Sequence, residues 1–441
     1  MTYQEALNYL NSFINYERIS KYSYRSAFRL ERMDNLLSFF DHPERKFNSI
    51  HITGSKGKGS TSAMVFSILT EAGFSVGLYT SPHLVDFRER IRIARGNSWR
   101  FISKEEMVAL VEEIKPIIEM VKERPSFFEL YTALAFSFFA KNNLDFAVVE
   151  VGLGGRLDAT NVLDPLVCAI TPISFEHTDK LGNTLSSIAQ EKCGIIKEGK
   201  IVITAPQEKE AKEVIYQTCK EKNALLYEVN RDIFFEEIGL VDRKEIFRIR
   251  GIFDEYPHLE MPLLGRHQLI NASVAVGIIE ALRKYQIYIS PQAIREGFKR
   301  VFWQGRMEVV GDKPLIILDG AQNRASAYAL KEAIKKYFCY KRLILVIGVS
   351  KDKDIKGICK ELLEISQIVI ITKADNPRAE EPEAIKSRIQ KPEVEIFLTK
   401  NIKEAVVLAK EKADREDLVL ITGSLFIVGE ARKLLLPYEY E

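Results

Sequence analysis

The stretch HITGSKGKGSTSA, residues 51–63, decides how this chain is read. The apolar run FNSIHIT (47–53) leads into it, and KGSTSAMVFSILTEAG (58–73) leads out as a helix with Gly73 near its C-terminal end. A strand feeding a glycine-rich turn and then a helix leaves backbone N–H groups and a positive dipole end for an anion. Lys58 would neutralise phosphate charge, and Ser60 or Thr61 offers Mg²⁺ a hydroxyl. The common phosphate-loop spacing, G-x-x-x-x-G-K-[ST], asks for glycine at 52, where Ile52 stands; the glycine present is Gly54. The spacing leaves two readings, a shortened phosphate loop or a glycine-rich turn with a fortuitous lysine.

The flanking sequence supplies the context. SVGLYT, LDFAVVEVGLGG (144–155), LVCAITPIS (166–174), KIVITA (200–205) and ALLYEV (224–229) are short apolar runs. Helical spacing occurs at 3–17, 27–40, 103–122, 127–141 and from about 208. Strands alternating with helices predict right-handed crossovers and a largely parallel sheet. RDIFFEEIGLVDRKEIFRIRGIF (231–253) alternates differently and predicts an antiparallel appendage. After helical sequence at 286–300, PLIILDG, RLILVIGV, QIVIITKA, VEIFLT and LVLITGS form a second series. The expected class is α/β in two domains. An N-terminal P-loop ATPase domain with a mainly parallel sheet spans 1–301, and a smaller Rossmann-like domain spans 302–441.

Composition narrows the partners. Among 441 residues, 63 Lys and Arg face 61 Asp and Glu, a formal charge of +2 that gives no electrostatic case for nucleic acid or an anionic membrane. The five cysteines are scattered without a C-x-x-C pair, which suits a reducing compartment. MTYQEALNYLNSFINYERIS lacks a signal-peptide pattern, and no long uncharged apolar run is found. The expectation is a cytoplasmic protein that binds small molecules.

Other candidates sit at strand ends, which face the ligand crevice in parallel α/β sheets. Glu150 closes a buried strand, where a carboxylate either pairs with a cation or serves as a capping group. His177 follows another strand; by itself it is more readily structural than a metal ligand, since Mg²⁺ prefers oxygen. In the second half, Asp319 ends a strand ahead of a helix near Asn323, and Arg306 stands beside the domain junction. Gly423-Ser424 precedes a helix N-terminus suited to a carboxylate.

With the ordered motifs LERM (30–33), HITGSKGKGSTSA, GLYTSPHLVDFRERIRI, FFELYTALAF, VEVGLGGRLDATNV, TDKLGNTLSSIAQEKCGIIK, GRHQLINA, GRMEVV, LDGAQN and GSLFIVGE, the chain resembles the folylpolyglutamate synthase and dihydrofolate synthase family of the Mur ligase superfamily. That superfamily's loop is the short form, G-x-x-G-K-[GT]-[ST], here Gly54 to Ser60. The resemblance implies that Gly54, Ser55, Lys56, Gly57, Lys58, Gly59 and Ser60 bind ATP phosphates, with Asn271, Arg306 and Asp319 around the nucleotide and its γ-phosphate. It implies Ser81, Glu150 and His177 as Mg²⁺ ligands, and Lys192 as a lysine that family members can carry as a carbamate. Arg90, Asp158 and Ser424 match positions holding glutamate, and Ser81, Pro82 and His83 match a loop along the pterin. Four positions depart from the family pattern. Lys56 stands for asparagine, Glu176 for aspartate, Cys193 for alanine and Gln322 for histidine, the last removing a group able to carry positive charge next to phosphate or glutamate.

The implied reaction passes the γ-phosphoryl group of ATP to a pteroate or folate carboxylate, and the amine of L-glutamate displaces phosphate from the acyl phosphate. Lys58, Lys192, Arg306 and Asp319 are the residues implied in the chemistry. The implied partners are ATP, Mg²⁺, glutamate and folate or dihydropteroate, with the chain a monomer. Two rivals stand beside it. A peptidoglycan-type Mur ligase is expected to carry a UDP-sugar domain, and only 53 residues precede Gly54. A nucleotide-dependent binding switch would need the loop but not a separate amino-acid site.

Overall fold

A computed structural model describes the chain except for residues 18, 20, 21, 97, 390–393 and 437–441. The strands of the N-terminal part are β1 Asn48–Thr53, β2 Val76–Tyr79, β3 Ile91–Arg95, β4 Ser98–Phe101, β5 Phe146–Glu150, β6 Val167–Ile170, β7 Ile201–Thr204 and β8 Leu225–Glu228. They form one sheet in the order β4-β3-β2-β5-β1-β6-β7-β8. All neighbours from β2 to β8 are parallel, and β3 and β4 add an antiparallel ribbon at one edge. The ribbon carries charged residues within short runs, and the apolar pattern does not announce it.

Every residue of β5 is buried, the mark of a strand covered on both faces. Its side chains alternate. Phe146 and Val148 enter a core with the helix Lys58–Glu71, whereas Ala147 and Val149 enter a core with the helices Lys104–Met120 and Phe127–Lys141. Each fully buried aliphatic side chain in these layers contributes about 1.5–3 kcal/mol. The two outer helices open with reciprocal capping boxes, Ser103 with Glu106 and Ser126 with Glu129, which satisfy otherwise orphaned N–H groups. The helix Lys58–Glu71 is buried on most faces, packed against Arg266–Ala281 and Pro291–Arg300.

The period change at 231–253 does mark an antiparallel unit. Strands β9 Phe234–Val241, β10 Lys244–Arg250 and β11 Glu255–Met261 pair in the order β11-β10-β9. Asp242 and Arg243, both at positive φ, make the two-residue turn whose twist matches its strands. Phe247, Ile249, Tyr256 and Leu259 bury this sheet against the first core.

The second α/β series contributes β12 Glu308–Asp312, β13 Leu315–Leu318, β14 Leu343–Ile347, β15 Ile368–Ile371, β16 Glu395–Leu398 and β17 Leu418–Thr422. Their order is β12-β13-β17-β14-β15-β16, with β12 antiparallel and the rest parallel. The two parts meet through Tyr337, whose hydroxyl donates to Glu245 at 3.2 Å, and through the Arg243–Asp312 pair at 2.9 Å. Among the described residues no helix is long and apolar enough to cross a membrane.

Candidate active site

Four neighbouring strands, β2, β5, β1 and β6, run parallel and so release their following loops at one sheet edge. From β1 comes the loop 54–57 and then the helix beginning at Lys58. Gly54 has φ +145°, and a Cβ there would lie 1.9 Å from Thr171 Oγ1 on the loop after β6; Gly57 has φ +88°, and its Cβ would meet the Asn271 amide at 2.2 Å. Both positions exclude a side chain, which explains a glycine-rich turn of this length. The Ser55 and Lys56 N–H groups donate to the Pro172 carbonyl at 3.0 and 3.2 Å, so the loop is pinned to its neighbour. The donors left facing outward are those of the helix's first turn, Lys58 to Ser60. Lys58 folds back so that its Nζ donates to the Gly54 carbonyl at 3.1 Å.

From β5 comes Glu150, which is buried and accepts a bond from the Ser81 N–H at 3.3 Å. Burial pushes its carboxyl up to about 7, against the pull of Lys58, the Ser81 N–H and Arg306. From β6 comes Glu176, beside His177 at the exposed end of the loop. Burial would raise the Glu176 carboxyl, but Lys58, Lys192 and His177 together hold it below the usual range. Lys192, 1% exposed, donates to the Gly54 carbonyl at 2.8 Å and pairs with Glu176 at 3.2 Å. Loss of solvent lowers its ammonium to about 8, with Glu176 opposing. Lys58, Lys192, Glu150 and His177 therefore share one electrostatic neighbourhood.

The second half of the chain adds Arg306 and Asp319. Asp319 accepts from the Met307 and Ala321 N–H groups at 3.0 and 2.9 Å, tying the start of β12 to the end of β13. Burial raises its pKa and the adjacent Arg306 opposes the rise. Arg306 donates to the Gly305 carbonyl at 3.1 Å and acts electrostatically on Glu150 and on His267. Asn271 donates to Gln268 at 2.9 Å while its amide fills the space beside Gly57. The Gln322 N–H donates to Ser326 at the start of the following helix.

The residues matched to an amino-acid site are less gathered. Arg90, 1% exposed, donates two hydrogen bonds to the Glu17 carboxylate at 2.8 and 2.6 Å and lies over the Phe127 and Tyr131 rings. His83 accepts from Arg90 Nε at 2.9 Å, and the Ser81–Pro82 bond is cis. Asp158 is buried and receives the Leu153 and Thr160 N–H groups at 2.9 and 3.0 Å. The Tyr79 hydroxyl feels both Arg90 and Asp158. Ser424 caps its helix in the C-terminal part and lines a small depression with Gly348, Ser350 and Asn376. Among the described residues no hydrogen bond or ion pair joins Ser424 to Arg90 or Asp158.

Mg²⁺ fits the donors present. Glu150 and Ser81 supply oxygen, and Thr61 Oγ1 is buried with no hydrogen-bond partner among the described residues. No cluster of three or more His, Cys, Asp or Glu able to cage a metal occurs among the described residues. Mg²⁺ needs none, because it binds through one or two carboxylates together with water and substrate phosphates. Three neighbours went unnamed among the sequence candidates. Thr171 abuts Gly54, Trp303 abuts Gly59, and His267 lies within electrostatic reach of Arg306 and Lys56. His267 lies inside the GRHQLINA motif, but only the fold places it beside the loop.

The Mur ligase middle domain family matches residues 52–279, and the Mur ligase glutamate ligase domain family matches 305–425. A dihydrofolate synthase/folylpolyglutamate synthase of Bacillus subtilis is 36% identical over 415 residues, 92% of this chain and 94% of that protein. A Mycobacterium tuberculosis folylpolyglutamate synthase complexed with ADP and AMPPCP has a TM-score of 0.85 at 31% identity, covering 94% of this chain and 96% of its own. An FPGS–AMPPCP–folate complex has a TM-score of 0.84 at 27% identity, covering 99% and 100%. With both ligase domains matched in order and the likeness running nearly end to end, the chain belongs to the folylpolyglutamate synthase/dihydrofolate synthase family of Mur ligases.

Proposed function

We propose that this protein is an ATP-dependent, ADP-forming ligase that joins L-glutamate to a folate carboxylate, and to dihydropteroate as well. The observation that carries this reading is the gathering of Lys58, Glu150, Lys192 and Arg306 around the short loop. Relatives carrying both activities in one name support the second acceptor.

A carboxylate is a poor electrophile, so its oxygen first takes the γ-phosphoryl group from ATP, releasing ADP and leaving an acyl phosphate. The glutamate amine then attacks the acyl carbon, and phosphate leaves. Phosphoryl transfer asks for position and charge neutralisation rather than covalent help. The N–H groups from Lys58 to Ser60 hold the phosphates, the Lys58 ammonium leaves the Gly54 carbonyl for a phosphate oxygen, and Asn271 flanks the nucleotide. Arg306 comes from the other side of the crevice, held by Asp319 through the backbone of its neighbour Met307. Ser81, Glu150 and His177 would hold Mg²⁺, whose charge would offset that of the phosphates. Lys192, carried as a carbamate, would become an anion and add a further metal ligand; its position against Gly54 supports that placement.

For the amino acid, Arg90 is the anchor. Glu17 offers it a carboxylate, the group glutamate would offer, so binding exchanges one acid for another. On this reading Asp158, Gln322 and Ser424 would complete the glutamate site, and Ser81, Pro82 and His83 would lie along the pterin. We assign 1–301 to the ATP-binding domain and 302–441 to the glutamate-ligase domain, which agrees with strands β1–β11 and β12–β17 falling on either side and with family matches that stop at 279 and resume at 305. A monomer suffices, since one chain supplies both the loop and Arg306. The five free cysteines suit the cytoplasm.

The test is an assay with radiolabelled glutamate, ATP and either dihydropteroate or tetrahydrofolate, products being separated by chain length. Label entering the pterin product only with ATP and acceptor supports the reading. ATP hydrolysis indifferent to acceptor and glutamate would favour a nucleotide-dependent switch.

A further inference from the structure

The segment leading to Arg306 is clamped by contacts that the reaction scheme leaves unused. Phe302 stacks on Trp99 with ring centroids 6.2 Å apart and planes 19° apart. Trp303 presses on the phosphate loop, where a Cβ added to Gly59 would fall 2.6 Å from the indole Cζ2. Arg92, buried on β3, lies 4.8 Å from the Trp303 ring, 5.0 Å from Phe101 and 5.1 Å from Trp99. Its Nη2 also reaches Gln304 Oε1 at 3.5 Å. The Gly305 carbonyl then accepts from both Gly320 N–H at 3.0 Å and Arg306 Nη1 at 3.1 Å. A packed path thus runs from the backbone of Gly59, next to Lys58, through one indole to the segment bearing Arg306.

We propose that Trp303 is a positioning residue that couples the phosphate loop to Arg306, with Arg92 holding the indole in place. This rests on the reading of the loop as the ATP site and of Arg306 as its partner across the crevice. A guanidinium over an indole face is attractive and orients both groups. The indole reaches the loop only because Gly59 has no side chain, so the loop backbone and the Arg306 segment share one register. Displacing reacting groups by an ångström costs as much as about a hundredfold in rate. Losing this wedge therefore acts on turnover, whereas nucleotide affinity, carried by the loop N–H groups and Lys58, changes little.

The chain has two tryptophans, which makes the coupling readable. In a Trp99→Phe enzyme the sole indole is Trp303, and its emission shifts when ADP and Mg²⁺ bind; in a Trp303→Phe enzyme the remaining Trp99 responds far less. Trp303→Ala lowers kcat by roughly tenfold to a hundredfold while the calorimetric Kd for ADP stays within about threefold, and Trp303→Phe restores most of the turnover. Should Trp303→Ala fail to fold, the Phe variants still carry the fluorescence test. ADP binding seen by calorimetry with unmoved Trp303 emission, or Trp303→Ala turnover within about twofold of the parent, overturns the coupling and spares the site. Absence of ADP binding to the parent enzyme overturns the site reading and the coupling with it.

Discussion

The Lys192 ammonium lies 3.2 Å from the Glu176 carboxylate, fastening the loop after β6 to the underside of the phosphate loop. A cation here steadies the fold, but beside a bound Mg²⁺ it would repel the metal, and carbamylation would reverse its sign. Lys192→Ala is therefore expected to lose about a hundredfold or more in turnover, the scale of one removed charge-stabilising group. A short carboxylic acid is expected to restore part of it, and parent activity is expected to rise with bicarbonate. An intact-mass measurement showing a bare amine in fully active enzyme would count against the carbamate.

In the proposed site Lys58 is the loop's phosphate cation. Lys58→Ala should cut ATP-dependent ligation by at least about a hundredfold, with the unfolding transition little changed because the side chain bonds only its own loop. Near-normal turnover in that variant would refute the assignment.

Arg90 serves the fold, and on the proposed reading the substrate as well. Replacing it with alanine removes the partner of the half-exposed Glu17 carboxylate and empties the space over Phe127 and Tyr131, a loss of about 1–3 kcal/mol readable by denaturant unfolding. Arg90→Lys keeps the charge without the planar fork, so the KM for glutamate should rise roughly tenfold while the KM for ATP holds. Equal changes in both constants would argue for a purely structural arginine.

His51, fully buried in β1 with Nε2 2.8 Å from Thr160 Oγ1, sets a pH dependence of stability. Burial pushes its imidazole from 6.5 down to about 3, with Lys197 adding to the shift. Between those values the unfolded chain binds a proton that the native state refuses. Stability is therefore full above pH 6.5 and falls on acidification, by up to about 1.4 kcal/mol per pH unit. His51→Asn should flatten that slope in denaturant titrations, and an unchanged slope would refute the assignment.

Much of this was legible in the sequence because backbone geometry dictates residue type. Gly54 and Gly57 must be glycine where other side chains already sit, and β5 must be apolar because both its faces are covered. The antiparallel unit after Arg231 was legible for the same kind of reason, its period differing from that of its neighbours. The helix Arg266–Ala281 was hidden, since burial on almost every face removes the amphipathic stripe. The β3–β4 ribbon was hidden because Arg92, a cation on an inner strand, makes sense only against Trp303, far along the chain. Pairings such as Arg90 with Glu17, 73 positions apart, leave no local trace.

In the proposed site the ends of β1, β5 and β6 surround one metal-bound nucleotide. The most direct measurement is anomalous diffraction from crystals grown with AMPPCP and Mn²⁺ in place of Mg²⁺. The expected result is a peak within coordination distance of Glu150 and His177, with the γ-phosphate analogue within reach of Lys58. A nucleotide bound elsewhere, or metal density remote from Glu150, would contradict it.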